Sequence, residues 1–161
     1  MNRTHFDVSS WLAQRDPIPV VGLVDPVVSV VGFAPTDVYV ETYWLSILGP
    51  SALWALRRLT GWLAESPDGF ALPIAPFASE LGLGGSAGRN APVRRTLVRL
   101  VLFDMAVVTP DDKLAIRTRI PPLSRRHAYR LPGHLAQRHQ DDHAGGVTLE
   151  RTDPQVPARR S

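Results

Sequence analysis

The chain has 161 residues, 44% of them hydrophobic, a length and composition that suit one domain with tails and a real core. It has no cysteine, which excludes disulfides and cysteine-ligated zinc, and no apolar run long enough to span a bilayer. Its formal net charge of +3 is uneven: residues 85–130 carry ten Lys and Arg against three Asp and Glu, a net of +7, whereas residues 1–84 carry four against eight, a net of −4.

The start, "MNRTHFDVSSWLAQRD", lacks the apolar stretch of a signal peptide, and the expected compartment is the cytoplasm. Residues 1–34 are expected to form a partly disordered, extended N-terminal arm. Upstream of Asp16 the expectation is disorder or a loose short helix around Trp11. In "PIPVVGLVDPVVSVVGFAP" short valine runs favour extended chain and the prolines forbid a long helix. A helix is predicted after Pro35, capped by Thr36 or Asp37, with Tyr39, Val40, Tyr43, Trp44, Ile47 and Leu48 as a wide apolar stripe. Gly49 and Pro50 break it and start a second helix reaching about Glu65. Its predicted core face is Ala52, Leu56, Leu59 and Leu63, with Arg57 and Arg58 turned away. Tyr39, Tyr43, Trp44 and Trp54 are read mainly as core.

After the turn "SPDG", "FALPIAP" can supply a short strand and "PFASELGL" a short helix. The glycine loop that follows fits neither phosphate-binding template. Gly82 and Gly88 are one residue too far apart for a P-loop, and Arg89-Asn90 stands where Lys-Ser/Thr is needed. The spacing of Gly82, Gly84 and Gly88 also fails the dinucleotide fingerprint. The next helix, from about Asn90 or Pro92 to Asp104, puts Val93, Leu97, Leu100 and Val101 on one face and Arg95 and Arg99 on the opposite one. Val98 and Leu102 lie off the core stripe. "AVVT" and "KLAIRTRI" read as a hairpin turning at "PDD", with Leu114, Ile116, Thr118 and Ile120 alternating with Ala115, Arg117 and Arg119. "PPLSRRHAYRL" leads into a last helix beginning near Pro132 and ending near Gln140, and residues 141–161 read as a disordered tail.

The fold class expected is therefore α+β, mainly α with a small β-hairpin. Residues 35–140 would form a winged helix-turn-helix domain, with an extra N-terminal arm and a C-terminal helix. The runs "FAPTDVYVETYWLSILGPSALWALRRL", "LGLGGSAGRNAPVRRTLVRL" and "IPPLSRRHAYRLPGHL" resemble a group of uncharacterised actinobacterial proteins with a predicted winged-helix domain. The resemblance covers roughly residues 25–140. It implies a winged-helix fold in a cytoplasmic protein and no particular activity.

The site expected on this reading is a surface for double-stranded DNA. Arg94, Arg95 and Arg99 would engage the groove and its flanking phosphates, and Arg89 and Asn90 would hold the helix entrance. Lys113, Arg117, Arg119, Arg125 and Arg126 would meet the backbone. Such a protein would be a transcription regulator or a nucleoid-associated factor. The alternative is a winged-helix module for protein–protein contact or dimerisation without direct DNA readout. A homodimer could then form through the N-terminal arm and the first two helices, or through Val98 and Leu102. No catalytic group stands out, because Ser, His and Asp occur without a nucleophile elbow or another catalytic context. His139 and His143, four apart, read as a solvated helix end rather than a metal site, and no cofactor is expected.

Overall fold

The protein is described by a computed structural model over residues 6–144. Its fold is mixed α+β, with a four-stranded sheet in the order β2-β1-β4-β3. The strands are β1 (Ile18–Leu23), β2 (Phe70–Leu72), β3 (Ala106–Val108) and β4 (Leu114–Arg117). β1 runs antiparallel to β2 and parallel to β4, and β3 and β4 form the expected hairpin. Part of the expected extended N-terminal arm is thus a strand of the sheet. β1 lies inside the sheet, with Val20 opposite both Phe70 and Leu114. Only long-range pairing could place it there, since its prolines and valines are equally at home in an extended arm.

Two short helices flank β1. α1 (Val8–Ala13) is N-capped by Asp7 and buries Trp11 and Leu12, and α2 (Pro26–Val31) is N-capped by Asp25. The chain then returns to the sheet, where Phe33 and Ile120 exchange two backbone hydrogen bonds, each of 2.8 Å. The helix predicted after Pro35 opens as a π-helical turn, Val40–Trp44, and continues as α3 (Leu45–Leu48). Asp37 accepts from the Tyr39 N–H at 2.8 Å, as a cap should. All six stripe residues from Tyr39 to Leu48 are buried. Gly49, with φ of 80°, turns the chain into α4 (Pro50–Glu65).

On α4 the expected face of Ala52, Leu56, Leu59 and Leu63 is buried, joined by Leu53 and Ala55. Trp54 is not core: it is exposed, with the Arg57 guanidinium 5.4 Å from its ring. Two residues from either Ala52 or Leu56 is about 200° around a helix, which points Trp54 at water. Helix α5 (Ile74–Glu80) follows β2, and α6 (Pro92–Leu102) follows the glycine loop. α4 and α6 pack on each other and cover one face of the sheet, where Ile18, Val20, Leu72, Leu114 and Ile116 complete the core.

A four-residue helix, α7 (Arg125–Ala128), precedes α8 (Gly133–Ala144), which outruns its expected end at Gln140. α8 docks by polar tips. Tyr39 Oη and His139 Nε2 lie 2.9 Å apart, and the Tyr43 hydroxyl donates to Asp142 at 2.8 Å. The rest of the expected tail lies outside the described residues. No helix among them is long and apolar enough to cross a membrane.

Candidate nucleic-acid interface

Helix α6 carries the basic residues nearest its loop, and its wheel sorts them. Val93, Leu97 and Leu100 are fully buried, as their spacing predicts, while Val101 and Val98 are half-buried and Leu102 is 64% exposed. Arg95 stands on the exposed side with no hydrogen bond or ion pair to the described residues. Asn90, just before the helix, is likewise exposed and unbonded, and Arg89 beside it donates to Ser10 Oγ at 3.1 Å.

Arg94 does not face a groove. It is 5% exposed and donates from Nε to the Ala87 carbonyl at 2.8 Å and from Nη1 to the Arg15 carbonyl at 3.0 Å and to that of Leu12. Those last two carbonyls lie at the C-terminal end of α1, where helix geometry leaves acceptors without intrahelical partners. Arg99 does the same for α3: Nε donates to Leu48 O and Nη2 to Ile47 O, both at 2.6 Å. In the hairpin, Arg117 donates to Asp104 O just past α6 at 2.6 Å and pairs with Asp25 at 3.1 Å. Arg119 donates to the carbonyl of Gly32, which caps α2. Four of the ten expected contact residues therefore spend their forks on helix ends of their own chain.

The hairpin tip is also committed. Lys113 pairs with Asp111 at 3.3 Å, and Asp112 accepts from Trp11 Nε1 at 3.1 Å and pairs with Arg15 at 3.4 Å. The tip thus displays carboxylates and is tied to α1.

What the fold does assemble is a row that runs along α6 and past its C-terminal end. Arg95, Arg99 and Phe103 follow one another at helical spacing. The guanidiniums of Arg99 and Arg130 lie 4.9 and 5.1 Å from the Phe103 ring centroid. Arg125 and Arg126 are exposed on α7, the helix whose His127 packs against this ring. His127 is buried between Trp44 and Phe103, with ring centroids 5.2 and 5.8 Å away, and its Nε2 has no hydrogen-bond partner. Burial holds the His127 pKa below the usual histidine value, opposed by Asp104 and aided by Arg126 and Arg130. The row is therefore made of arginine charge around a neutral imidazole. Arg130 and Phe103 were absent from the expected site. The continued four-residue spacing from Arg95 marks Phe103, but nothing local in the sequence brings Arg130 to it.

Ion pairing separates two populations of cations. Arg15, Arg57, Arg58, Lys113, Arg117 and Arg138 each lie within 4.0 Å of a carboxylate. Among the described residues, Arg89, Arg94, Arg95, Arg99, Arg119, Arg125, Arg126 and Arg130 have no such partner; Arg95, Arg99, Arg125, Arg126 and Arg130 are the ones on α6, on α7 or just after it that are exposed. A carbonyl-bound guanidinium keeps its full charge, so Arg99 still adds to the field although its Nε and Nη2 each hold a carbonyl. No group of three or more His, Cys, Asp or Glu among the described residues is placed to hold a metal ion. Compared with known proteins, the chain matches no family model, no curated protein and no solved structure.

Proposed function

We propose that the protein binds double-stranded DNA through the α6–α7 row, largely by contact with phosphates, as a winged-helix regulator or nucleoid-associated factor. The reading rests on Arg99 and Arg130 at the Phe103 ring and on Arg95, Arg125 and Arg126 exposed on α6 and α7, all five without a carboxylate partner among the described residues. A cluster of unneutralised cations attracts a polyanion, and counterion release drives its binding. The element order supports a winged-helix plan: α4, β2, α5, α6 and the β3–β4 hairpin follow the order of helix, strand, helix, helix and wing. Two departures modify it. β1 is interposed between β2 and β4, and the connection from Leu81 to Ala91 exceeds the short turn of a simple helix-turn-helix. Base readout is left to Arg95 and Asn90, whose polar groups have no partner among the described residues; the acidic hairpin tip takes no part.

A second reading, a protein-interaction module without DNA contact, is favoured by Leu102, an apolar side chain 64% exposed on the same helix. Fluorescence anisotropy of a labelled duplex, titrated with the full chain at low salt, decides between them. The DNA reading expects saturable binding that weakens about tenfold or more when Arg95, Arg125 and Arg126 are all replaced by Ala. Absence of binding at low salt, or binding indifferent to that triple substitution, overturns it.

A further inference from the structure

Helices α4 and α6 cover one face of the sheet, and the opposite face is mostly apolar as well. Ile18, Val20, Leu114 and Ile116 point into the core, so the alternate positions point away. Those positions are Pro19, Val21 and Leu23 of β1, Ala71 of β2, Ala115 and Arg117 of β4 and Val107 of β3; Ala71 and Val107 are exposed, Pro19, Val21, Leu23 and Arg117 half-buried, and Ala115 at the centre is buried. An outward sheet face normally alternates to polar residues. Here its one charged side chain, Arg117, is already paired with Asp25 and bonded to Asp104 O.

At the Leu23–Arg117 pair this face runs into α2, because Asp25 both holds Arg117 and caps the helix. α2 turns a single valine, Val28, inward. Val27 and Val30 are 70% and 79% exposed, Val31 is 53% exposed, and Val24, just before the helix, is 83% exposed. The helix is held at both ends. Asp25 accepts from Val27 N and Val28 N at 3.0 and 3.2 Å, and Arg119 binds the Gly32 carbonyl. Gly32 is packed so closely that an added Cβ would lie 2.4 Å from the Val28 carbonyl oxygen. The valines are displayed by a fixed element, which lowers the entropy lost on docking.

We infer that α2 and the adjoining outer face of the sheet form a contact between two copies of this chain. Charge disfavours a polyanion on this surface and admits a second copy as the occupant. The chain carries +3, so two copies repel unless they meet where neither has an unpaired charge, and this surface has none among the described residues. A polyanion or an acidic partner gains nothing from it. A two-fold contact lays the same patch on itself, so apolar meets apolar without any desolvated ion. The area suffices as well. The four exposed valines present roughly 400 Å² per copy, about the largest apolar patch a monomer carries. Pairing them and adding Pro26, Val107 and the half-buried outer strand residues brings the total to roughly 1,200 Å², the lower bound of a specific interface.

Sedimentation equilibrium of the full chain tests this. The parent is expected to dimerise at roughly 100 μM, above a micromolar dissociation constant. Val27→Lys/Val30→Lys should raise that constant at least tenfold, with an unchanged circular-dichroism melting temperature because both side chains already face water. Should the lysines lower the melting temperature, Val27→Ser/Val30→Ser is the deciding variant and should also weaken the dimer. Leu102→Lys, on α6, should leave it intact. A parent that stays monomeric, a dimer that survives the α2 substitutions in a folded variant, or one that Leu102→Lys dissociates would overturn the inference.

Discussion

The guanidinium of Arg99 reaches the carbonyl oxygens of Ile47 and Leu48, each at 2.6 Å, and so closes the C-terminal end of α3. The same solution recurs through the molecule. Arg94 serves the end of α1, Arg119 that of α2, and Arg117 the carbonyl just beyond α6. Helix C-termini combine acceptors lacking intrahelical partners with the negative end of the dipole, and a planar cation with several donors answers both. Short helices place many such ends in a small protein, which accounts for these four arginines without invoking a ligand.

Arg94 is expected to matter for stability first. Arg94→Met keeps the stem's volume but removes the side-chain donor from the carbonyls of Leu12, Arg15 and Ala87 in a buried to half-buried place, where among the described residues only Leu12 O retains a backbone donor, the Arg15 N–H. The expected cost is about 2–4 kcal/mol, read as a lower urea midpoint with an unchanged m-value. A loss of less than about 1 kcal/mol would mean that water or a backbone shift replaces the fork.

Arg95 and Arg99 should separate binding from folding. Arg95→Gln removes a side chain with no partner among the described residues, so unfolding should shift by no more than about 0.5 kcal/mol while duplex affinity falls. Arg99→Gln should cost about 1–2 kcal/mol through the unsatisfied end of α3, together with a loss of affinity. Equal stability for the two variants in urea melts would contradict the capping role.

The salt dependence of duplex binding counts the cations engaged. Five arginines predict a slope of log K against log salt of about −4.5, whereas all nine cations proposed from sequence would give about −8. Anisotropy titrations at four or five salt concentrations distinguish these values. A slope near −8 would require the capping arginines to leave their carbonyls.

His127 predicts an acid-side loss of stability. Its folded pKa lies below the usual 6.5, chiefly through burial. As pH falls below about 6.5 the unfolded chain binds a proton that the folded chain does not, so stability declines until the folded pKa is passed. His127→Phe, which can keep the contacts with Trp44 and Phe103, should flatten this part of the profile. Urea midpoints at pH values between about 7.5 and 5 provide the check.

Two glycines should respond oppositely to alanine. Gly69 has φ of +99°, and a Cβ there would lie 2.4 Å from the Val20 carbonyl oxygen, so Gly69→Ala strains the turn into β2. Its expected cost is about 1–3 kcal/mol. Gly88 has open space around its would-be Cβ and no positive φ, and Gly88→Ala should be neutral within about 0.5 kcal/mol. Differential scanning calorimetry of both variants separates a sterically required glycine from one that merely lies in a loop.

The helical core was legible from local pattern. Apolar spacing picks out the buried faces of α4 and α6 and the stripe from Tyr39 to Leu48, because a helix repeats its environment every three or four residues. The β3–β4 hairpin was legible for the same reason, its strands being joined by a short turn. The place of β1 was not, since its partners Leu72 and Leu114 lie far along the chain and a six-residue run cannot encode which strand it will meet.

The arginines mark the same boundary more sharply. By itself the sequence determined that residues 85–130 carry a net +7, and that Arg95 and Arg99 share a face away from the core. Only the tertiary structure decided which cations have donors to offer. Arg94, Arg99, Arg117 and Arg119 meet carbonyls brought to them by other elements, whereas Arg95, Arg125 and Arg126 meet no partner among the described residues. Charge is a property of the residue and can be counted along the chain. The satisfaction of a hydrogen-bonding fork belongs to its neighbours in space, and the fold alone supplies them.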